Sequence, residues 1–508
     1  MCFSLATVVS AVASLNVALP DLARETGASQ TELQWIVNAY ALVFAALLLP
    51  AGSLGDRFGR RRVLLIGLAI FGTGSLAAMT VEDPTALIAL RGLLGVGAAL
   101  VMPATLSLIT TAFEEGEREQ AVGVWAGVAG ASAILGLLAA GTLLEFASWT
   151  SVFGLNAALA ALAIAGARLV PESADPAEAR LDPAGAALSA VGLGALVYAI
   201  IEGPERGWGD SVTVGAFALA AISLASFVAW ELRRRQPMLD PRLFRRRRFA
   251  AGTLSITLQF LAFFGFVFLI LQYLQLVQGM SPLIAALAMV PMAMTLMAFA
   301  RRAPAIVERL GVQRAAPLGL TLMAVGFGIL ALLDASSSYW LLLAGLVPLG
   351  AGMGLATTPA TYAIVSGLPQ GKQGVGSAVN DAAREVGGAL GIAILGSVLN
   401  DAYRSGMASA VGSLPPDLAD PVRQSLGFTI QLAERGGDRF SELAVTAQHS
   451  FVDGLSTALV VAALVLTFAA ALVAVLLRDS KMQPADVGAA PDGLPAAPRA
   501  AGPEMGPR

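Results

Sequence analysis

Gly52-Ser53-Leu54-Gly55-Asp56-Arg57-Phe58-Gly59-Arg60-Arg61-Arg62 joins two long apolar runs, at about 35–54 and 62–80. Each run is close to the ~20 residues a helix needs to cross a ~30 Å hydrocarbon layer. The glycines permit a tight turn where two helices cross closely. The arginines hold the turn on the cytoplasmic side, and Asp56 can pair with them across a gate. Outward from this loop, further runs recur at about 3–20, 85–111, 120–144, 150–170, 183–202, 212–232, 250–276, 281–300, 316–333, 339–366, 375–400 and 452–477. The runs are continuous rather than alternating, which predicts helices and not barrel strands.

The composition agrees. Of 508 residues, 56% are hydrophobic and 13% charged, about half the charge of an ordinary soluble domain, ~25%. Such a chain is a polytopic membrane protein, not a soluble enzyme. A net charge of −3 argues against nucleic acid, which needs a basic face. One cysteine, Cys2, and one histidine, His449, leave no disulfide framework and no Cys/His metal cage. Neither lysine, Lys372 or Lys481, lies in a phosphate-binding loop. No cofactor or metal is expected, and any pumping must draw on an ion gradient or on a separate ATPase subunit.

With fourteen spans, 24 of the 32 basic residues fall in loops on one side and six on the other. Arg91 and Arg384 lie within spans. This asymmetry predicts that both termini are cytoplasmic. The first run lacks the basic leader of a secretory signal, so Ala11-Val12-Ala13 is read as part of a retained span rather than a cleavage site. Residues 481–508, rich in Pro, Ala and Gly, read as a disordered cytoplasmic tail.

The stretch from Gly52 to Arg62 resembles the signature loop of the major facilitator superfamily, G-x-L-(A/G)-D-R-x-G-R-R. Further agreement comes from Asn16-Val17-Ala18-Leu19-Pro20, Trp35 to Tyr40, Arg91 to Ala99, Gly203 to Trp208 and Gly374 to Gly396. With fourteen spans, these look like the fourteen-helix drug:proton antiporter branch. The resemblance implies an all-α major facilitator fold. It has an N-terminal six-helix half (1–170), two inserted helices with cytoplasmic linkers (171–248), and a C-terminal six-helix half (249–480) with a long external loop at 401–451. It also implies alternating access around a central cavity. Gly52, Asp56, Arg57, Gly59, Arg60 and Arg61 then form the gate signature, and Arg91 is a central polar residue.

The chain departs from that pattern at several positions. Ala11 stands where the branch carries an Asp five residues before Asn16, and Ala13 stands where it carries a Thr. Leu94 replaces the Gln of R-x-x-Q-G. Gly136-Leu137-Leu138-Ala139-Ala140-Gly141 lacks the Gly-Pro pair of span 5, and Trp149-Thr150-Ser151 replaces W-R-W.

Charged groups inside a membrane are costly and are candidate functional groups. Arg91 is either a working central cation or a residue bonded to backbone carbonyls. In span 13, Asp381 and Glu385 share a helix face with Arg384 beside them. Glu385 lies about 15 Å beyond the cytoplasmic start of its span, at 1.5 Å per residue. An acid at that depth can take up and release protons, so Glu385 is the first proton-coupling candidate, with Asp381 and Arg384. The other reading is a locked Asp–Arg–Glu network at the inner gate. Asn16, Asn38, Tyr40, Trp125, Asn156, Gln259 and Phe263 are cavity candidates, since aromatic walls with few polar groups suit amphipathic ligands. The four arginines Arg245 to Arg248 set topology and attract anionic lipid. The pattern from Val422 to Val445 suggests a helix on the membrane surface.

These observations predict a plasma-membrane secondary transporter, functional as a monomer among membrane lipids. It would export amphipathic drugs or antibiotics in exchange for protons. The alternative is a divergent exporter of one metabolite or lipid with altered or no proton coupling.

Overall fold

A computed structural model describes residues 1–112, 115–174, 182–234, 237–366, 368, 373–412 and 414–478. The expected tail, 481–508, lies outside the described residues, as do Arg180, Arg235 and Lys372 among the loop cations. The helices are α1 Cys2–Thr26, α2 Gln30–Phe58, α3 Arg60–Ala78, α4 Pro84–Ala112, α5 Glu115–Leu144 and α6 Ser151–Ala167. The middle pair is α7 Pro183–Arg206 and α8 Ser211–Arg233. The remainder are α9 Arg247–Gln272, α10 Pro282–Ala288, α11 Val290–Leu310, α12 Val312–Leu330, α13 Tyr339–Ser366, α14 Gln373–Val411, α15 Pro416–Gln424, α16 Leu426–Gly436 and α17 Asp438–Leu477. No strand occurs among the described residues.

Among the described residues, twelve stretches are long and apolar enough to cross a membrane, and α10 with α11 supplies one of them. The other two expected spans are shorter apolar segments, Ala131–Leu144 of α5 and Ser151–Ala167, the whole of α6. At ~1.5 Å per residue, seventeen residues of α6 rise only about 26 Å, short of a ~30 Å hydrocarbon layer.

In the first half α4 packs on α2 and α3, while α1 packs on α5 and α6. In the second, α13 lies against α9, α11 and α12, and α14 against α9 and α17. The halves meet where α2 runs along α14 and where α5 meets α10. Helix α7 packs on both α2 and α14, so the middle pair touches both halves; α8 mainly faces outward, with Ile222, Leu219 and Val228 exposed as lipid contacts would be.

Small residues allow the closest crossings. A Cβ on Gly95 of α4 would lie 2.6 Å from the Tyr40 carbonyl oxygen of α2, and one on Gly391 of α14 would collide with the Leu261 carbonyl of α9. In lipid, association depends on such backbone approach rather than on a hydrophobic drive.

The stretch from 401 to 451 is built rather than loose. Helix α14 continues to Val411 and α17 begins at Asp438. The expected surface helix over 422–445 is interrupted at Gly437, where φ is +62°. Leu426, Gly427, Thr429 and Ile430 of α16 are buried, with Gly427 against Ala23 of α1. Their apolar face is covered by protein, not by a membrane surface. We expect Gly95→Val to push α2 from α4 and to destabilise the fold by about 1–3 kcal/mol, the usual range for overpacking, read as a lower unfolding temperature in detergent.

Candidate functional site

The signature loop is fixed by the stretch that follows α6, from Val170 to Ser173. Gly59 closes the α2–α3 turn at φ +104°, a conformation L side chains rarely adopt. A Cβ there would meet the Glu172 carboxylate at 2.8 Å. Glu172 accepts the Arg61 backbone N–H at 2.9 Å and lies 3.8 Å from Arg62 Nε. Arg61 also donates to the Val170 carbonyl at 3.0 Å, and the Arg60 backbone N–H donates to the Ser173 carbonyl at 2.8 Å. Asp56 pairs with Arg60 at 2.7 Å one turn away, so this pair is local rather than across a gate. Arg57 is exposed and stacks on Phe58. Gly52 sits close to Pro103 of α4.

At the opposite end, hydrogen bonds join the halves. Asn400 Nδ2 donates to Thr31 Oγ1 at 3.2 Å, Gln275 Nε2 to the Val17 carbonyl at 3.0 Å, and Ser425 Oγ to the Ala28 carbonyl at 2.9 Å. The Leu283 N–H donates to Glu145 at 3.2 Å, beside Gly141, where a Cβ would meet Leu283 and the Pro282 carbonyl. Helix α7 joins this closure. Ser397 Oγ donates to the Ile200 carbonyl at 2.7 Å, and Trp35 Nε1 donates to Glu202 at 3.0 Å, with Arg206 on the other Glu202 oxygen.

Between these ends lies a cavity of about 20 Å³ lined by Val12, Val37, Tyr40, Ala41, Arg91, Phe264, Glu385, Gly388 and Ile392. It has room for about one water molecule. The lining follows helix periodicity: Val37, Tyr40 and Ala41 share one face of α2, and Glu385, Gly388 and Ile392 one face of α14.

Arg91 is fully buried. Its Nε donates to the Ile36 carbonyl at 2.9 Å, and its guanidinium lies 4.4 Å from the centre of the Tyr40 ring. Nη1 and Nη2 have no partner. Gly95, one turn beyond Arg91, lets α2 come near enough to supply the carbonyl and the ring. Ala11, on the branch's acid position, is completely buried, and Leu94 packs toward Gly74.

From the second half, Asp381, Arg384 and Glu385 are half-buried. Arg384 lies over the Phe260 ring at 5.2 Å. No ion pair joins it to either carboxylate among the described residues, so the three do not form a locked network here. Phe260, Phe263 and Phe264 pack ring against ring, with centroids 5.6–6.4 Å apart, and Phe264 faces the cavity.

Of the cavity candidates, Tyr40 reaches the lining and Phe263 stands behind it. Asn16 donates to the Val12 carbonyl of its own helix. Asn38 is buried with both amide atoms unpartnered, and Asn156 is buried. Trp125 donates to Thr105, and Gln259 accepts from Thr357. Sequence reasoning missed Val12, Val37, Ala41, Phe264, Gly388 and Ile392. Steps of three and seven residues from Tyr40 and Glu385 would have found three of them, Val37, Gly388 and Ile392.

The geometry is that of a membrane transporter with two helical halves around a central cavity, and residues 1–392 match the Major Facilitator Superfamily profile. The chain belongs to that family. It is 36% identical over 467 residues to the multidrug efflux pump LfrA of Mycolicibacterium smegmatis, covering 91% of this chain and 92% of the relative. To the methyl viologen resistance protein SmvA of Salmonella typhimurium it is 35% identical over 452 residues, covering 88% and 90%. A bacterial homologue of the human lysosomal transporter Spinster shares the fold, with a TM-score of 0.63 at 16% identity over 94% of this chain and 96% of that one.

Replacing Gly59 by Ala would force a side chain into a glycine conformation at a cost of about 1–3 kcal/mol and dislodge Glu172. We expect faster trypsin cleavage after Arg60, Arg61 and Arg62 in Gly59→Ala, scored by mass spectrometry against the parent protein.

Proposed function

We propose that this protein is a fourteen-span exporter of the plasma membrane that moves amphipathic drugs outward in exchange for protons, with Glu385 as the proton-carrying carboxylate. The observation that carries the reading is Glu385 itself. It projects from the second half into a central cavity with an aromatic wall, opposite Arg91 and Tyr40 of the first. The substrate class rests on the relatives, named for multidrug efflux and methyl viologen resistance.

In this reading α5 and α6 complete the fourteen spans, both termini are cytoplasmic, and the signature loop is cytoplasmic. The bonded end holding Thr31, Asn400 and Ser425 is then external and closed. The functional unit is the monomer in its lipid, with Arg245 to Arg248 attracting anionic headgroups. The 20 Å³ space beside Glu385 is too small for a drug, whose pockets measure ~300–1,000 Å³, so loading requires the halves to part further there than they do here. The half-buried state of Asp381, Arg384 and Glu385 supports a water path to the carboxylates from that side.

A second reading, an exporter of one metabolite with altered coupling, draws support from Ala11. Buried in apolar surroundings, it leaves the first half without the acid of the branch. The two readings part in everted vesicles with an acidified lumen, to which methyl viologen, amphipathic anions and neutral antibiotics are added singly. We expect compound-dependent proton release with the parent protein and its loss in Glu385→Gln of equal abundance. Full proton-coupled transport by Glu385→Gln would overturn the role of Glu385, and compound movement without proton movement would favour the second reading.

A further inference from the structure

Arg91 is a guanidinium with no exposed surface, and two of its three nitrogens have no partner. Its Nε bond and the Tyr40 ring satisfy only part of the ion. In a low-dielectric interior an incompletely paired charge costs several kcal/mol, so an arrangement in which Nη1 and Nη2 stay empty is not one the chain would keep throughout its cycle. The first half offers no acid for them. On α1 the residue at the cavity is the apolar Val12, and Ala11 beside it is buried and carries no carboxylate. The carboxylate that lines the same cavity, Glu385, belongs to the other half and forms no ion pair here.

We propose that Glu385 is the counter-ion of Arg91, supplied across the two halves: its ionised carboxylate pairs with Nη1 and Nη2 when the halves close on the cavity, and its protonation parts them. The inference rests on the reading of Glu385 as the proton carrier and adds what the proton competes with. The proton passes from water to a Glu385 carboxylate oxygen, the bidentate pair is lost, and Arg91 falls back on Ile36 and Tyr40 as seen here. Arg91 is thus a positioning residue that converts the protonation state of Glu385 into the separation of the halves. The charged and titratable groups facing Glu385 are Arg91 of α4 and Tyr40 of α2 across the cavity, and Asp381 and Arg384 of its own helix; α1 and α9 bring Val12 and Phe264. Arg384 lies over Phe260 on the same helix as Glu385, so pairing with it would not bind one half to the other.

The test reads the distance between halves. Cys2 is the chain's one cysteine, so a Cys2→Ser background accepts spin labels at Leu169, at the end of α6, and Leu310, at the end of α11, both exposed. In lipid nanodiscs the full-length parent should show two distance populations whose ratio changes by up to ten-fold per pH unit, the limit for one proton (~1.36 kcal/mol). Arg91→Met and Glu385→Gln should each reduce that change to under about two-fold, and the double variant should match either single one, the non-additivity expected of groups acting as a pair. Val12→Asp keeps both residues but gives Arg91 an acid within its own half. It should abolish the response too, and it carries the test if Arg91→Met fails to fold.

A parent-like response in Arg91→Met or Val12→Asp, with Glu385→Gln silent, would overturn the pairing and leave the proton role of Glu385 standing. A parent-like response in Glu385→Gln would remove both. Arg91→Lys, which keeps the charge but not the bidentate geometry, should retain a reduced response; a response equal to the parent's would mean that charge alone, without the two-nitrogen contact, is enough and would overturn the bidentate form of the pairing.

Discussion

A guanidinium held inside the membrane is the constraint around which the centre of this protein is arranged. Arg91 needs its donors satisfied away from bulk water, and α4 alone cannot supply the acceptors because its carbonyls are used within the helix. The neighbouring helix must come close, and Gly95 one turn away makes that possible. The approach brings the Ile36 carbonyl to Nε and lays the Tyr40 ring against the ion. The face of α2 that does this also carries Val37 and Ala41 to the cavity. Seating the cation therefore shapes one wall of the space in which transport is proposed to occur.

The other wall has a different logic. On α14 the glycines at 387, 388 and 391 let α9 approach until a Cβ could not be accommodated, and that contact sets Phe264 beside Glu385. An aromatic surface next to a single carboxylate is suited to an amphipathic cation, whose apolar body and charge each find a complement. The two walls differ in charge, so the cavity is not a uniformly apolar pocket. Its charge is concentrated in two side chains, Arg91 of α4 and Glu385 of α14.

Much of the framework was legible in the sequence because lipid imposes a single strong rule: backbone polar groups must be satisfied within the helix. Long apolar runs follow directly from that rule, and the arginines of the loops, including those of Gly52–Arg62, follow from the retention of basic residues on the cytoplasmic side. Contacts between helices were less legible. Asp56 could reach any of several arginines by spacing, and only the fold selects Arg60, leaving Arg61 and Arg62 to Glu172 more than 100 positions away. Apolar lining residues such as Val12 and Ile392 carry no signal distinguishing a cavity from a lipid face. The region around 422–445 misled for a related reason. An amphipathic pattern reports that one face is buried, not what buries it, and here α1 and α17 take the place of lipid. Helix α7 read as half of an inserted pair, yet Trp35, Glu202, Ile200 and Ser397 make it part of the closure between halves.

The closure opposite the signature loop is built largely from neutral groups: an amide to a hydroxyl, an amide to a carbonyl, a hydroxyl to a carbonyl. Each such bond contributes about 0.5–1.5 kcal/mol net, so a handful amounts to a few kcal/mol. That is the scale on which two conformations coexist at measurable populations. A closure made from buried ion pairs would be far harder to open within a cycle, because each parted charge would be stranded. With the ends held weakly, the energetic decision in the proposed cycle would fall to the centre, where one carboxylate gaining or losing a proton would change the balance by ~1.36 kcal/mol per pH unit. In the proposed cycle, weak neutral latches at the periphery and a strong, titratable contact in the middle would be the distribution of forces that lets a modest proton gradient move a protein of this size.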